Sequence, residues 1–123
     1  MSEALHELTN IIHRDIHSLK ASVRLEENLS DFDGHFPVQK VLPGVMQLDL
    51  IQYLAEDWAG QRLCMISIPQ LKFLHPLKPR DEIQISMEFN KTKDGYKVGF
   101  SFWIQKDDKR FVVCRGKVQF SLR

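Results

Sequence analysis

The sequence is short of the residues that mark several classes of protein. It contains only two cysteines, Cys64 and Cys114, both in apolar runs, which favours buried reduced thiols over a catalytic thiolate. The formal net charge of +1 argues against a global role in binding nucleic acid. No apolar run approaches the roughly 20 residues that cross a bilayer. Residues 1–10 contain acidic side chains and lack the apolar stretch of a secretory signal, so we expect a cytoplasmic protein.

What the sequence does contain is the pattern of one α+β domain. Its 123 residues, 43% of them hydrophobic, fit a single domain over residues 1–123. Residues 18–25 alternate between apolar and polar side chains, as a half-buried strand does, whereas residues 5–12 fit a short helix or a strand. Residues 44–59 are apolar nearly all round and end at Gly60, which indicates a buried helix about 24 Å long.

Four runs after this helix have the character of strands. They are residues 63–73, 82–89, 96–105 and 111–122, with turn-forming residues between them. Pro69 interrupts the first run, which predicts a bulge or a sheet edge. Alternate apolar residues of the last run are expected on one face: Val112, Cys114, Val118, Phe120 and Leu122. Short turns imply antiparallel neighbours, so the order of elements predicts an antiparallel sheet curled around one long central helix.

A loop histidine and a helix carboxylate are the residues best suited to chemistry. His35 lies in a segment stiffened by Pro37 and Pro43 that leads into the helix. Asp49 lies about a turn and a half into that helix, where a carboxylate is costly unless it is paired or partly hydrated. By themselves, the two residues fit either an acid–base pair or a capping loop with an aspartate satisfied by backbone donors.

The spacing around this pair resembles that of a known family. Gly34-His35-Phe36-Pro37, then Val41-Leu42-Pro43-Gly44-Val45, then an acidic residue 14 positions after the histidine, are similar to the signature of 3-hydroxyacyl-acyl-carrier-protein dehydratases. Gln47-Leu48-Asp49-Leu50 looks most like the short dehydratases of aryl-polyene biosynthesis clusters. Residues 71–83 are similar to the family's segment after the helix. The resemblance extends over residues 19–122 and implies the hot-dog fold.

Three positions depart from the family pattern. Lys40 replaces a proline, and Tyr53 stands where the family often has a glutamine, with Gln52 one residue early. Gln52 would face about 100° away from that spot, so the Tyr53 hydroxyl is the alternative support for Asp49. Arg80 replaces the glycine of a Pro-Gly-Asp turn. Since a type II turn needs a positive φ there, arginine favours a type I turn.

The resemblance implies dehydration of (3R)-3-hydroxyacyl thioesters on acyl carrier protein to trans-2-enoyl thioesters, without a cofactor or metal. Neutral His35 would remove the C2 proton, and Asp49 would bind the C3 hydroxyl and donate a proton to it. The backbone N–H of Gly44 would polarise the thioester carbonyl at the helix N-terminus. The Val41 carbonyl would hold the spare ring nitrogen of the histidine.

In this family the histidine and the acid of one site come from different protomers. The resemblance therefore implies a dimer with two interface sites, either a homodimer or a heterodimer with a related hot-dog subunit. Candidates for an apolar substrate tunnel are Phe36, Val41, Val45, Met46, Tyr53 and Phe73, although core packing explains each of them at least as well. An acidic carrier protein with its phosphopantetheine arm implies a basic rim. Candidates for that rim are Lys40, Lys78, Arg80, Arg110 and Arg115.

The remaining histidines and two other functions complete the hypotheses. His6, His13 and His17 lack the companion residues of a metal site, and His75 is expected at the surface.

A hot-dog thioesterase would share the fold and the substrate class but would not require the histidine motif. A non-catalytic acyl-binding subunit of a heterodimeric dehydratase would tend to lose the histidine or the acid, and both are present here.

Overall fold

The computed structural model describes residues 3–27 and 41–123. Its elements are α1 (Glu3–Glu7), β1 (Thr9–Arg14), β2 (Ser18–Arg24), α2 (Gly44–Ala59), β3 (Leu63–Phe73), β4 (Glu82–Lys91), β5 (Gly95–Lys106) and β6 (Lys109–Leu122). The predicted central helix is confirmed at both ends, and the ambiguous residues 5–12 divide between α1 and β1. No helix in the described ranges is both long and apolar enough to cross a membrane.

The six strands of the described residues form one antiparallel sheet in the order β1-β2-β4-β5-β6-β3. Buried side chains alternate along β2, β4 and β5, so one face of the sheet carries the core. Helix α2 adds Leu50, Ile51, Leu54 and Ala55 to that core. The predicted α+β architecture, an antiparallel sheet with one long helix against it, is confirmed.

The two edge strands are β1 and β3. Pro69 lies in β3, and the register of β3 on β6 shifts between Ser67 and Gln70. Both halves of the prediction for this proline are confirmed, since it occupies an edge strand beside a bulge. Proline is tolerated there because an edge strand does not need every backbone N–H for pairing.

The predicted phase of β6 is wrong in part. Cys114 pairs with Phe102 and Val112 pairs with Trp103, which leaves Val113 as an extra residue in the strand. Val113 and Cys114 are both buried as a result, whereas Val112 is 36% exposed. A bulge shifts the side-chain alternation by one residue, so the strict period of two fails beyond it. Leu122 keeps the phase but is also exposed, at the end of the strand.

The turn before β4 corrects the expectation for Arg80. The Asp81 N–H donates to the Lys78 carbonyl at 3.1 Å, and Arg80 has a φ of 74°, as the third residue of a type II turn does. The Arg80 N–H donates to the Leu25 carbonyl at 2.7 Å, and its guanidinium lies 2.9 Å from Glu27. These contacts hold the arginine in the left-handed region, which costs an ordinary residue about 1–2 kcal/mol.

Candidate active site

The start of α2 places a backbone donor at its first residue, Gly44. Pro43 precedes the helix without a side-chain cap, and the Leu42 N–H donates to the Leu77 carbonyl at 2.8 Å. This bond joins the entry to the helix to the segment that follows β3. Gly44 is the first helical residue, and none of the described residues accepts a hydrogen bond from its N–H. The geometry suits the predicted role of this N–H, since a helix N-terminus stabilises negative charge.

Phe73 lies directly against Gly44. A Cβ added to Gly44 would lie 2.7 Å from Phe73 Cζ, so only glycine allows the ring to approach this closely. The ring borders a cleft of about 390 Å³ that is also lined by Val41, Gln47 and His75. The structure therefore brings three of the predicted residues together at the mouth of the helix.

The far end of α2 is anchored to β3 by two side chains. The Gln52 amide donates to the Leu63 carbonyl at 2.8 Å, and a Glu56 carboxylate oxygen accepts from the Leu63 N–H at 2.9 Å. Gly60 ends the helix with a φ of 69°, and its N–H donates to the Glu56 carbonyl at 2.9 Å. Gln52 is thus committed to the helix–strand junction, and its predicted orientation away from Asp49 is confirmed.

Asp49 is a buried carboxylate with one oxygen satisfied. The residue is 4% exposed, and its Oδ2 lies 2.8 Å from His6 Nε2. Its other oxygen, Oδ1, is buried and has no hydrogen-bond partner among the described residues. An unpartnered buried acceptor is costly, so this atom marks a place where a substrate hydroxyl, a water molecule or a group of a second subunit fits.

The support for Asp49 comes from a residue that sequence reasoning assigned no role. His6, from α1, reaches Asp49 across 43 positions of the chain, and its ring stacks on Tyr53 with centroids 4.0 Å apart and planes at 13°. Tyr53 therefore supports the carboxylate through His6, and no hydrogen bond joins its hydroxyl to Asp49. The local signal in the sequence is the apolar Leu5, and in the structure its complete burial holds the neighbouring histidine near the helix.

The other predicted tunnel residues have mixed positions. Met46 is partly buried and packs on the core, whereas Val45 is 63% exposed on α2. Their roles, and those of Val41, Tyr53 and Phe73 in binding substrate, stay predictions. Three predicted residues lie outside the described ranges: His35, Phe36 and Lys40.

The predicted docking cations occupy two regions. Lys78 and Arg80 lie in the turn before β4, and Arg110 and Arg115 lie on β6, with the Arg110 guanidinium 3.8 Å from the centre of the Trp103 ring. All four are exposed, so they are accessible to a partner, and docking stays a prediction. No cluster of three or more metal-ligating side chains occurs within the described ranges.

His75, which was expected at the surface, is partly exposed. It is half-buried and stacks on Phe111 at 5.0 Å between ring centroids.

Comparison with known proteins identifies the family. A family model described as ApeI-like, the ApeI dehydratase, matches residues 12–117. Because this match spans most of the chain, the protein belongs to the ApeI-like dehydratases and has their hot-dog fold.

Individual relatives agree with this assignment. A chain of the dehydratase heterocomplex ApeI:P from Xenorhabdus doucetiae is 27% identical, with 91% of this chain and 96% of that chain covered and a TM-score of 0.76. The 3-hydroxyacyl-acyl-carrier-protein dehydratase FabZ of Roseiflexus castenholzii is 28% identical in an alignment of 101 positions that covers 74% of this chain and 66% of that enzyme. The chain thus spans just under two thirds of the length of this curated relative.

A thioesterase shares the fold alone. The hypothetical thioesterase of Streptococcus pneumoniae, solved with coenzyme A, has a TM-score of 0.76 but only 11% identity, with 99% of this chain and 91% of that chain covered. The backbone fold is therefore compatible with both dehydration and thioester hydrolysis, and only the residues of the site can distinguish the two activities.

Proposed function

We propose that this protein dehydrates 3-hydroxyacyl thioesters on acyl carrier protein to trans-2-enoyl thioesters. The observation that carries the proposal is the unpartnered, buried Oδ1 of Asp49, on the same helix whose first N–H, at Gly44, has no acceptor among the described residues. One group can bind the C3 hydroxyl and the other can polarise the thioester carbonyl. Membership of the ApeI-like dehydratases supports this pairing of roles.

The reaction then proceeds as a β-elimination. His35 takes the proton from C2, the C2–H electron pair forms the new double bond, and the C3–O bond breaks. Asp49 gives its proton to the departing hydroxyl, which leaves as water. The Gly44 N–H stabilises the negative charge that grows on the thioester oxygen. The proton on His35 afterwards restores Asp49, so the enzyme returns to its starting state.

The site is completed, in this proposal, by a second hot-dog subunit. Strand β3 is an edge of 11 residues, and several of its large apolar side chains are exposed, among them Ile66 at 59% and Ile68 at 40%. A long edge strand with exposed apolar residues needs a cover. The similar protein from Xenorhabdus doucetiae was solved as a heterocomplex, which favours a related subunit or a second copy as the partner.

The deciding assay incubates the protein with 3-hydroxyacyl carrier protein and follows the product by mass spectrometry. Loss of one water from the loaded carrier supports dehydration, whereas release of free thiol indicates a thioesterase. Asp49→Asn and His35→Ala should each abolish the loss of water. Asp57→Asn is a matched control, because Asp57 lies two turns further along α2 and is half-exposed, in an ion pair with Arg14. Unchanged dehydration in both site variants would refute the assignment.

The oligomeric state is measured separately by analytical ultracentrifugation, alone and after co-expression with a candidate partner. A dimer is expected in at least one of these preparations. A preparation that is active while fully monomeric would contradict the shared site, although the chemistry at Asp49 could still hold.

A further inference from the structure

His6 approaches Asp49 from a segment that the dehydratase motif does not include. The His6 Nε2 to Asp49 Oδ2 distance is 2.8 Å, and the two side chains are 21% and 2% exposed. A hydrogen bond this well shielded from water is stronger than one at the surface. The chain contains a surface pair for comparison: His13 and Asp15 lie 3.2 Å apart, with side chains 55% and 50% exposed.

The position of His6 is fixed on two sides. Leu5 is completely buried, and its carbonyl accepts from the Thr9 hydroxyl at 3.0 Å, which ties the end of α1 to the start of β1. On the other side, the imidazole lies flat on the Tyr53 ring. A ring held between a buried anchor and a stacking partner has little rotational freedom, so Nε2 is pre-organised to meet the carboxylate.

The contact also decides which oxygen of Asp49 is available. With its proton on Nε2, the imidazole donates to Oδ2 and prevents rotation of the carboxyl group. Oδ1 is then left as the buried, unpartnered atom. We propose that His6 is a positioning residue for dehydration, which holds Asp49 so that Oδ1 faces the C3 hydroxyl of the substrate. This inference rests on the proposed function of Asp49.

Two substitutions separate the hydrogen bond from the packing. His6→Phe keeps an aromatic ring on Tyr53 but removes the donor, whereas His6→Gln keeps an N–H donor but removes the ring. We expect kcat to fall by about 10- to 100-fold in His6→Phe, because the buried Oδ2 of Asp49 loses its donor. KM should change by less than about twofold, because the lost contact orients a reacting group. His6→Gln should retain most of the activity.

One further variant serves as a control. His13→Phe makes the same exchange in the exposed pair and should leave kcat unchanged. Thermal unfolding of all variants shows whether any loss of rate is a loss of fold, and His6→Phe should unfold within a few degrees of the wild type.

A spectroscopic measurement tests the contact without relying on activity. The ¹⁵N shifts of the His6 ring should report the Nε2–H tautomer in the wild type and a mixture of tautomers in Asp49→Ala. If these shifts do not respond to Asp49→Ala, or if His6→Phe turns over as fast as the wild type, the positioning role is refuted. Equal losses of kcat in His6→Phe and His6→Gln would refute it as well, since the glutamine variant keeps a donor that the phenylalanine variant lacks.

The two proposals fail in different ways. If Asp49→Asn retains dehydration, the proposed function of the site is wrong whatever His6 does. If Asp49→Asn is inactive and His6→Phe is fully active, the function holds and only the role of His6 is wrong.

Discussion

Phe73 packs against Gly44 at the mouth of α2, where the Phe73 ring occupies the space that any Cβ on residue 44 would need. The ring is 49% exposed, so it can move away at little cost. Gly44→Ala should therefore lower the free energy of unfolding by less than about 1 kcal/mol. The displaced ring should nevertheless change the entrance of the cleft and lower kcat/KM. The double variant Gly44→Ala/Phe73→Leu should recover part of this loss, and steady-state kinetics on both variants checks it.

Gly116 provides a much more severe steric test. A Cβ at Gly116, on β6, would lie 2.2 Å from the Gln70 carbonyl oxygen, which belongs to the backbone and cannot rotate away. Gly116→Ala should destabilise the protein by about 3 kcal/mol, because two hydrogen-bonded strands would have to separate.

Gly99 is the matched control for Gly116. It lies on the neighbouring strand β5, and a Cβ there meets nothing within 4 Å. Gly99→Ala should be neutral or stabilising by about 0.5 kcal/mol. Urea denaturation gives both values. Similar midpoints for the two variants would contradict the close approach of Gly116 to the Gln70 carbonyl.

Arg80 is held in a backbone conformation that suits glycine. Its φ of 74° costs an ordinary residue about 1–2 kcal/mol, and part of this is offset because glycine loses more entropy on folding. Arg80→Gly should therefore raise the free energy of unfolding by about 0.5–1 kcal/mol. Arg80→Ala removes the same exposed pair with Glu27 but keeps the strain, so it should be neutral or slightly destabilising. A glycine variant no more stable than the alanine variant would contradict the turn geometry.

Cys114 should be inert under conditions that modify exposed thiols. Burial raises the pKa of the Cys114 thiol to about 12, whereas Cys64 is exposed. At pH 8 a thiol reagent should modify Cys114 only after unfolding, because the thiolate is the reactive form. Cys64→Ser should then leave no fast-reacting thiol in the native protein, and rapid modification of that variant would contradict the burial.

The same thiol predicts how stability depends on alkaline pH. The unfolded chain loses the Cys114 proton near the ordinary value of 9.0, and the folded chain holds it to about 12. The folded state therefore binds more protons between these values, and its stability falls as the pH rises. The contribution is fully present below pH 9 and is lost as the pH approaches 12. Cys114→Ala should show a weaker decline over this window in urea denaturation.

Local sequence patterns were sufficient to predict the features that depend on residues close together in the chain. The helix Gly44–Ala59 was predicted with its correct ends, because Pro43 and Gly60 mark the two termini. The residues between them are apolar on most faces, which indicates a buried helix. The edge position of Pro69 followed from its missing N–H. The dehydratase family followed from the spacing of His35, Gly44 and Asp49, and the match to the ApeI-like family confirms it.

Contacts between residues distant in the sequence decided the features that local patterns did not predict. The extra residue at Val113 depends on how β6 pairs with β5, and the positive φ of Arg80 depends on its bond to Leu25. When only neighbours in the sequence are considered, Val113 looks like an ordinary strand residue, and an arginine at position 80 looks unsuited to a positive φ.

The sequence by itself determined the fold class and the family, and it singled out Asp49 as the candidate catalytic carboxylate, because each of these depends on residue spacings of a few turns. Only the tertiary structure decided what surrounds that carboxylate. His6 meets Asp49 across 43 positions, and no periodicity relates a short N-terminal helix to a residue so distant. The folding of α1 onto α2 creates that contact, and it leaves Oδ1 as the one oxygen of Asp49 without a partner among the described residues.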